Sequence, residues 1–280
     1  MAIWPRLSLS GKVVALTGAG SGIGRALALA LAERGALISM ADRDAAGLAE
    51  TARRLGNRPH WSLVLDVTDH ARLAGWIEGT VETFGRLQGI INNAGLSVVA
   101  PFADCPRADF DHVMAVNFDA VVEGTRLALP HLRASGEGWI VNISSVFGMM
   151  GYPTQSAYNA SKFAVRGFTE ALFIELRETD PGIRVVRVHP GGVKTNVARN
   201  ARVIAHMPGT PAALDSAEAF EKAARTTPEA AAEAILSGME RGRHRILIGR
   251  DARIIDLLTR LFPETYFSRI GPFLGGGGGD

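Results

Sequence analysis

A single cysteine, Cys105, rules out an intramolecular disulfide, and no Cys/His grouping has metal-ligand spacing, so the sequence offers no metal site and suits a reducing compartment. Cys105 reads as a small apolar residue. Charge of one sign is also lacking. Thirty Lys and Arg against 28 Asp and Glu leave a formal charge of +2 with no basic stripe, which argues against a nucleic-acid partner. Nowhere do the apolar residues run on long enough for a membrane span, and "MAIWPRLSLSGKVV" lacks the apolar core of a signal peptide; the expectation is a cytoplasmic protein. No Pro/Gly/Ser linker or charge block divides residues 1 to 250, and no internal repeat is visible, so a second domain has no place to begin.

What is present is a hydrophobic fraction of 47%, much of it in short Val- and Ile-rich runs. These are "KVVALT" (12 to 17), "ALISMA" (36 to 41), "WSLVLD" (61 to 66), "LQGIIN" (87 to 92), "GWIVNIS" (138 to 144), "IRVVRVH" (183 to 189) and "HRILIG" (244 to 249). Each has strand length, and apolar residues on both faces suit strands buried on both sides. Most intervening segments, such as "GRALALALAERG" (24 to 35), have helical periodicity. Strand alternating with helix predicts an α/β fold, a doubly wound seven-stranded parallel sheet flanked by helices. Two stretches break the alternation: a loop over 194 to 227, and "RDARIIDLLTRLFPETYFSRIGPFL" over 250 to 274. The domain is therefore expected over 1 to 249, followed by an amphipathic extension, with the final glycines (275 to 280) a flexible tail.

After the first apolar run comes "TGAGSGIG", with Gly18, Gly22 and Gly24 leading into a helix. Glycines there let the chain turn tightly and let a phosphate reach the helix's N-terminal N–H groups, so the turn is a pyrophosphate seat formed with Ser21 and Ile23. Because position 23 is Ile, the spacing is not the general G-x-G-x-x-G. The second run ends in "MADRD". Asp42 can accept hydrogen bonds from ribose hydroxyls and would repel a 2'-phosphate, which favours NAD over NADP. Arg43 leaves NADP open, since an arginine can pair with that phosphate. Further on, "AYNASKFAV" (157 to 165) reads as helix and puts Tyr158 and Lys162 on one face, a spacing that chance also produces.

With "TGAGSGIG", "NNAG" (92 to 95), "YNASK" (158 to 162) and "HPGGVKT" (189 to 195) in this order, the chain resembles the classical short-chain dehydrogenases/reductases over about residues 10 to 249. The resemblance implies a single Rossmann-type domain in which Tyr158 is the general acid/base and Lys162 its activator and ribose ligand. Ser145 in "NISSV" would polarise the substrate oxygen, its spacing to Tyr158 rather than that of Ser144 matching the family, and Asn117 in "MAVNF" would hold a water in a proton relay. Cofactor contacts are implied for Asp66 and Val67 at the adenine, and for Asn93, Ala94 and Gly95 beside the fourth strand. Pro190 and Gly191, in the turn after the sixth strand, are implied cofactor contacts as well, with Val193 and Thr195 at the nicotinamide carboxamide. The chemistry makes sense of the set: reducing a ketone puts negative charge on oxygen, so a proton donor and a hydrogen-bond donor must already be there. A free tyrosine, with a pKa of about 10, is a poor base near neutral pH, and a nearby ammonium favours its phenolate.

In such a fold a ligand binds beyond the carboxyl ends of the strands, where Phe147, Met149, Met150 and Tyr152 make an apolar wall. A hydrophobic alcohol or ketone is the expected partner, with Arg199 and Arg202 the residues that could favour an acidic or CoA-linked one. His189 is expected only to be hydrogen-bonded. Along the extension, Ile254, Ile255, Leu257, Leu258, Leu261 and Phe262 form one apolar face that can pack on its own domain or a second subunit, cover the substrate mouth, or contact a membrane surface. The family resemblance implies a homodimer or homotetramer through the helices carrying Asn117 and Tyr158, and the extension argues against the tetramer. The sequence thus points to an NAD-dependent oxidoreductase interconverting a hydrophobic secondary alcohol and its ketone. The alternatives are an NADPH-dependent carbonyl reductase and, from another class, a non-catalytic nicotinamide-binding or membrane-recruited interaction protein.

Overall fold

In the computed structural model, which describes residues 4, 6, 8–195, 200–205 and 224–274, all seven apolar runs are strands of one parallel sheet. They are β1 (Val13–Thr17), β2 (Leu37–Asp42), β3 (His60–Val64), β4 (Gly89–Asn92), β6 (Gly138–Ile143), β7 (Ile183–Pro190) and β9 (Arg245–Ile248). Two short strands, β5 (Val98–Val99) and β8 (Arg202–Val203), pair separately. The sheet order is β3-β2-β1-β4-β6-β7-β9. After β3 the chain therefore returns to the other side of β1, and this reversal between β1 and β4 opens a crevice at their carboxyl ends.

Strand alternation sends neighbouring side chains to opposite faces. Val14 and Leu16 of β1 pack under α1 (Gly22–Glu33) with Leu27 and Leu31, and the same cluster takes in Ile235 and Leu236 of α7 (Pro228–Glu240). Val13 and Ala15 face the other way. They join Trp76 and Ile77 of α3 (His70–Phe84), Leu132 of α5 (Ala120–Ser135) and Leu172 and Leu176 of α6 (Ser156–Thr179). Both sheet faces are thus sealed, which is why its strands are apolar on both sides. Between β2 and β3 runs α2 (Ala45–Leu55).

In the loop that follows β7, Val193 bridges to Thr226 and draws the loop's two ends together, and Arg202 and Val203 pair with Val98 and Val99 of the body. Residues 196–199, Arg199 among them, 206–223, and the glycine tail lie outside the described residues. The 250–274 extension forms α8 (Arg250–Leu261) and α9 (Tyr266–Leu274). Ala252, Ile255 and Ile270 are buried in one cluster with Val146, Met149 and Met150, so this part of the extension packs on its own domain, while Ile254, Leu257 and Leu261 of the expected apolar face stay exposed. No helix among the described residues is long and apolar enough to cross a membrane.

Beneath the crevice a buried polar chain ties strands to helices. Asn92 of β4 donates to Asn142 of β6 (2.8 Å) and to Thr125 of α5 (3.1 Å), and Asn142 donates to Thr169 of α6 (3.0 Å). Removing one link orphans the others in a place water cannot reach. Asn142→Ala should therefore cost roughly 1–3 kcal/mol, read as a lower urea midpoint at unchanged slope.

Candidate active site

The glycine turn is shaped by its neighbours. Gly18 has φ +68°, a region side chains disfavour, and a Cβ on Gly24 would stand 1.9 Å from the Gly18 carbonyl oxygen. Only bare backbone lets α1 begin this close to β1. Ser21 precedes α1 without capping it, and the first turn holds no acidic residue, whereas Asp44, Asp69 and Thr227 cap α2, α3 and α7. An uncapped N-terminus beside close-packed glycine backbone fits a dinucleotide's pyrophosphate. Ile23 packs against the core, and Thr195 faces Gly22, where an added Cβ would lie 3.3 Å from the threonine Cβ.

At the end of β2 the Asp42 carboxylate accepts from the backbone N–H of Gly20 (2.7 Å) and of Asp44 (2.9 Å), which holds it against the glycine turn. Arg43 is exposed. Asp66 lies on the same side: burial raises its carboxyl, but the Thr68 N–H and hydroxyl, then the Arg43 charge, lower it by more, so it sits below the usual range. Val67 beside it is buried in the core. Asn93 donates to the carbonyls of Thr17 (3.0 Å) and Gly18 (3.2 Å), and the Thr17 hydroxyl accepts from the N–H groups of Asn93 and Ala94, so the end of β4 is tied to the turn.

Across the crevice, α4 (Arg107–Met114) runs into α5 through one π-turn, Ala115–Asp119. The wider turn centres on Asn117, which is fully buried. Its Oδ1 accepts from Leu96 N (2.9 Å), and its Nδ2 donates to Leu96 O (2.9 Å) and Ser161 Oγ (3.0 Å). Gly95 fills the remaining gap: a Cβ there would lie 3.2 Å from Asn117 Oδ1 and 3.4 Å from Lys162 Nζ. Lys162, 4% exposed, donates to the Ile143 carbonyl at the end of β6 (3.0 Å), with Nζ 5.6 Å from the Tyr158 ring centre.

The Ser145 hydroxyl adjoins Tyr158, and its Oγ accepts from Phe147 N (3.1 Å). Ser144 instead turns inward to the Lys162 carbonyl (2.8 Å), which separates the two serines that adjoin in sequence. Burial pushes the Tyr158 phenol up to about 12, the nearby Ser145 hydroxyl pulling it back only in part, and burial pulls the Lys162 ammonium down to about 8. Desolvation thus moves Tyr158, which is half-buried, in the opposite direction to the activation expected from Lys162, whose ammonium sits beside the ring. His189 is fully buried, its Nδ1 3.1 Å from the Ser145 carbonyl, and burial drives its imidazole down to about 4. The ring is neutral and hydrogen-bonded, as expected from its place at a strand end.

The expected apolar wall divides. Met149 and Met150 are buried beneath the extension, because α8 and α9 cover the face they present. Phe147 and Tyr152 stay half-buried and stack at 5.4 Å, with Phe147 edge-on to Tyr158 at 6.0 Å. Arg202 is paired with Asp109 (2.7 Å).

Two residues escaped the sequence reading. Asn159, inside "YNASK", accepts from Tyr152 N (3.0 Å) and donates to the carbonyls of Phe147 (2.8 Å) and Met150 (2.6 Å), pinning that segment to α6. Asp251, on α8, accepts from Gly192 N (2.6 Å) and so holds the turn after β7. Asn159 stood in a quoted motif, but nothing in the sequence linked Asp251 to a turn 59 residues earlier.

Comparison with known proteins agrees with this geometry. A family model described as short chain dehydrogenase matches residues 12–203. SadH of Mycobacterium tuberculosis, named as an oxidoreductase, is 43% identical over 263 residues, covering 92% of this chain and 94% of its own. Levodione reductase of Leifsonia aquatica is 36% identical over 202 residues, 70% of this chain and 75% of its own. Among solved structures, a short chain dehydrogenase/reductase from Burkholderia phymatum in complex with NAD superposes with a TM-score of 0.83 at 28% identity, covering 94% of this chain and 96% of that one.

The three bonds of Asn159 have a local consequence. Asn159→Ala should speed hydrogen exchange at the Tyr152 amide and its neighbours while leaving the sheet amides protected, read by mass spectrometry; uniform acceleration would mean global destabilisation instead.

Proposed function

The chain belongs to the short chain dehydrogenase family of oxidoreductases, and from that premise we propose that it interconverts a hydrophobic secondary alcohol and its ketone with NAD as cofactor. The observation that carries the reading is the meeting of Ser145, Tyr158, Lys162 and Asn117 at the carboxyl ends of β4 and β6. The glycine turn from Gly18 to Gly24 holds the pyrophosphate and Asp42 the adenosine ribose. Asp66 and Val67 flank the adenine, Asn93, Ala94 and Gly95 line the middle, and Pro190, Gly191, Val193 and Thr195 receive the nicotinamide end. The oxidised nicotinamide, when bound, supplies the carbon that takes hydride and a positive charge beside Tyr158.

In oxidation the alcohol oxygen is held by the Ser145 hydroxyl while its proton passes to the Tyr158 phenolate; in reduction Tyr158 returns that proton to the ketone oxygen. Lys162 binds ribose and favours the phenolate by its charge. Asn117, its side-chain amide fixed by Leu96 and Ser161, supports the proton relay. Phe147 and Tyr152 give the apolar wall, and a relative named for levodione supports a compact ketone or alcohol as substrate. Exposed Phe163 and Ile174 on α6 support assembly with a second copy.

The test is nicotinamide reduction with NAD⁺ and NADP⁺ over secondary alcohols from short aliphatic to polycyclic. Turnover with NAD⁺, lost in Tyr158→Phe, is expected. Preference for NADP⁺ would favour the second cofactor reading, for which exposed Arg43 speaks, and activity retained in the variant would sink the catalytic assignment.

The pH dependence follows from the two buried groups. Because burial holds Tyr158 near 12, the phenol stays protonated through neutral pH, so ketone reduction is flat there. Alcohol oxidation needs the phenolate and rises with pH. Lys162, with its pKa near 8, loses its charge above that value, so the rise bends over on the alkaline side. Lys162→Met should lower oxidation and remove the bend; a bend that survives would assign it to another group.

A further inference from the structure

The extension touches both loops that flank the reacting centre. At its start, Asp251 accepts from Gly192 N in the turn after β7, and Asp256 pairs with Arg245 of β9. At its end, the Tyr266 hydroxyl accepts from Gly151 N (2.9 Å) in the segment after β6, and a Cβ on Gly151 would lie 3.4 Å from that oxygen. Next to it, Phe267 meets the Tyr152 ring at 6.0 Å, and Tyr152 stacks on Phe147, which stands edge-on to Tyr158. Four rings therefore run in contact from the hydroxyl that moves the proton to the surface of α9. Phe267, 44% exposed, closes the outer end, while Ile270 behind it is buried and fixes the helix.

We propose that Tyr266 and Phe267 are specificity-determining residues: they set the position of the Phe147–Tyr152 stack and so decide which apolar group fits beside the carbinol carbon. The inference rests on the alcohol-ketone reading above. A small alcohol engages only Ser145 and Tyr158, and its binding does not depend on the stack. A substrate bearing a ring beyond the carbinol carbon lies along the stack and loses contact when the stack shifts, a loss that falls on binding rather than on the proton transfer. Tyr266 positions the wall through the Gly151 amide. Phe267 does so by ring contact, and the two act on one element from two sides.

The experiment uses the full-length protein with NAD⁺, isopropanol as the small alcohol and a naphthyl-bearing secondary alcohol as the large one. Tyr266→Phe keeps the ring and loses the bond to Gly151; Phe267→Ala loses the ring; Phe267→Tyr keeps it. The first two are expected to raise KM for the naphthyl alcohol about tenfold with kcat little changed, a loss typical of misfit in an apolar pocket. Isopropanol kinetics, NAD⁺ affinity and thermal midpoint should stay near wild type, and Phe267→Tyr should match the parent on both alcohols. Equal losses on both alcohols, or none on either, would overturn this inference while leaving the reaction intact. A wild-type protein that oxidised neither alcohol would sink the reaction reading, and this inference with it.

Discussion

An ammonium sealed from water beside a phenol is the constraint on which the rest depends. A buried charge is costly unless the surrounding groups hold it, and the cost is visible in the downward pull on Lys162. The groups that make the position tenable come from separate parts of the chain: the Ile143 carbonyl at the end of β6, Asn117 in its π-turn, Gly95 after β4, and the phenol ring one helical turn back on α6. The polar chain from Asn92 through Asn142 to Thr169, and out to Thr125, lies directly below and fixes those same strands and helices to one another.

The opposite end of the crevice is governed by backbone rather than charge. Gly18 and Gly24 bring α1 close to β1 with its N-terminus uncapped, and Asp42 holds the turn by the Gly20 N–H. Asn93 then couples the two ends, since it bonds the turn's carbonyls while the next two residues lead to the Lys162 pocket. The extension adds a third contact set. By holding Gly192 and Gly151 at once, it makes the two loops beside the reacting centre dependent on a segment far away in sequence.

Much of this was legible beforehand because strands buried on both faces must be apolar throughout, and a phosphate seat must be rich in glycine. The seven strands and the glycine turn follow from those two rules. Other features resisted for stated reasons. The π-turn at Asn117 leaves no composition signal, since it changes one helical turn and not the periodicity. Met149 and Met150 read as pocket wall because nothing nearby in sequence announces the helices that bury them. The phenol's upward shift depends on how completely the fold excludes water around Tyr158, and residue spacing carries no information on that.

The sequence by itself determined the fold class, the glycine turn and the residue types that gather at the crevice, because each rests on local rules of periodicity, backbone freedom and motif order. Only the tertiary structure decided which wall residues stay accessible, how Asn117 is held, and where the extension lies. Those are contacts between segments distant along the chain, and their outcome is set by packing, which no local stretch encodes.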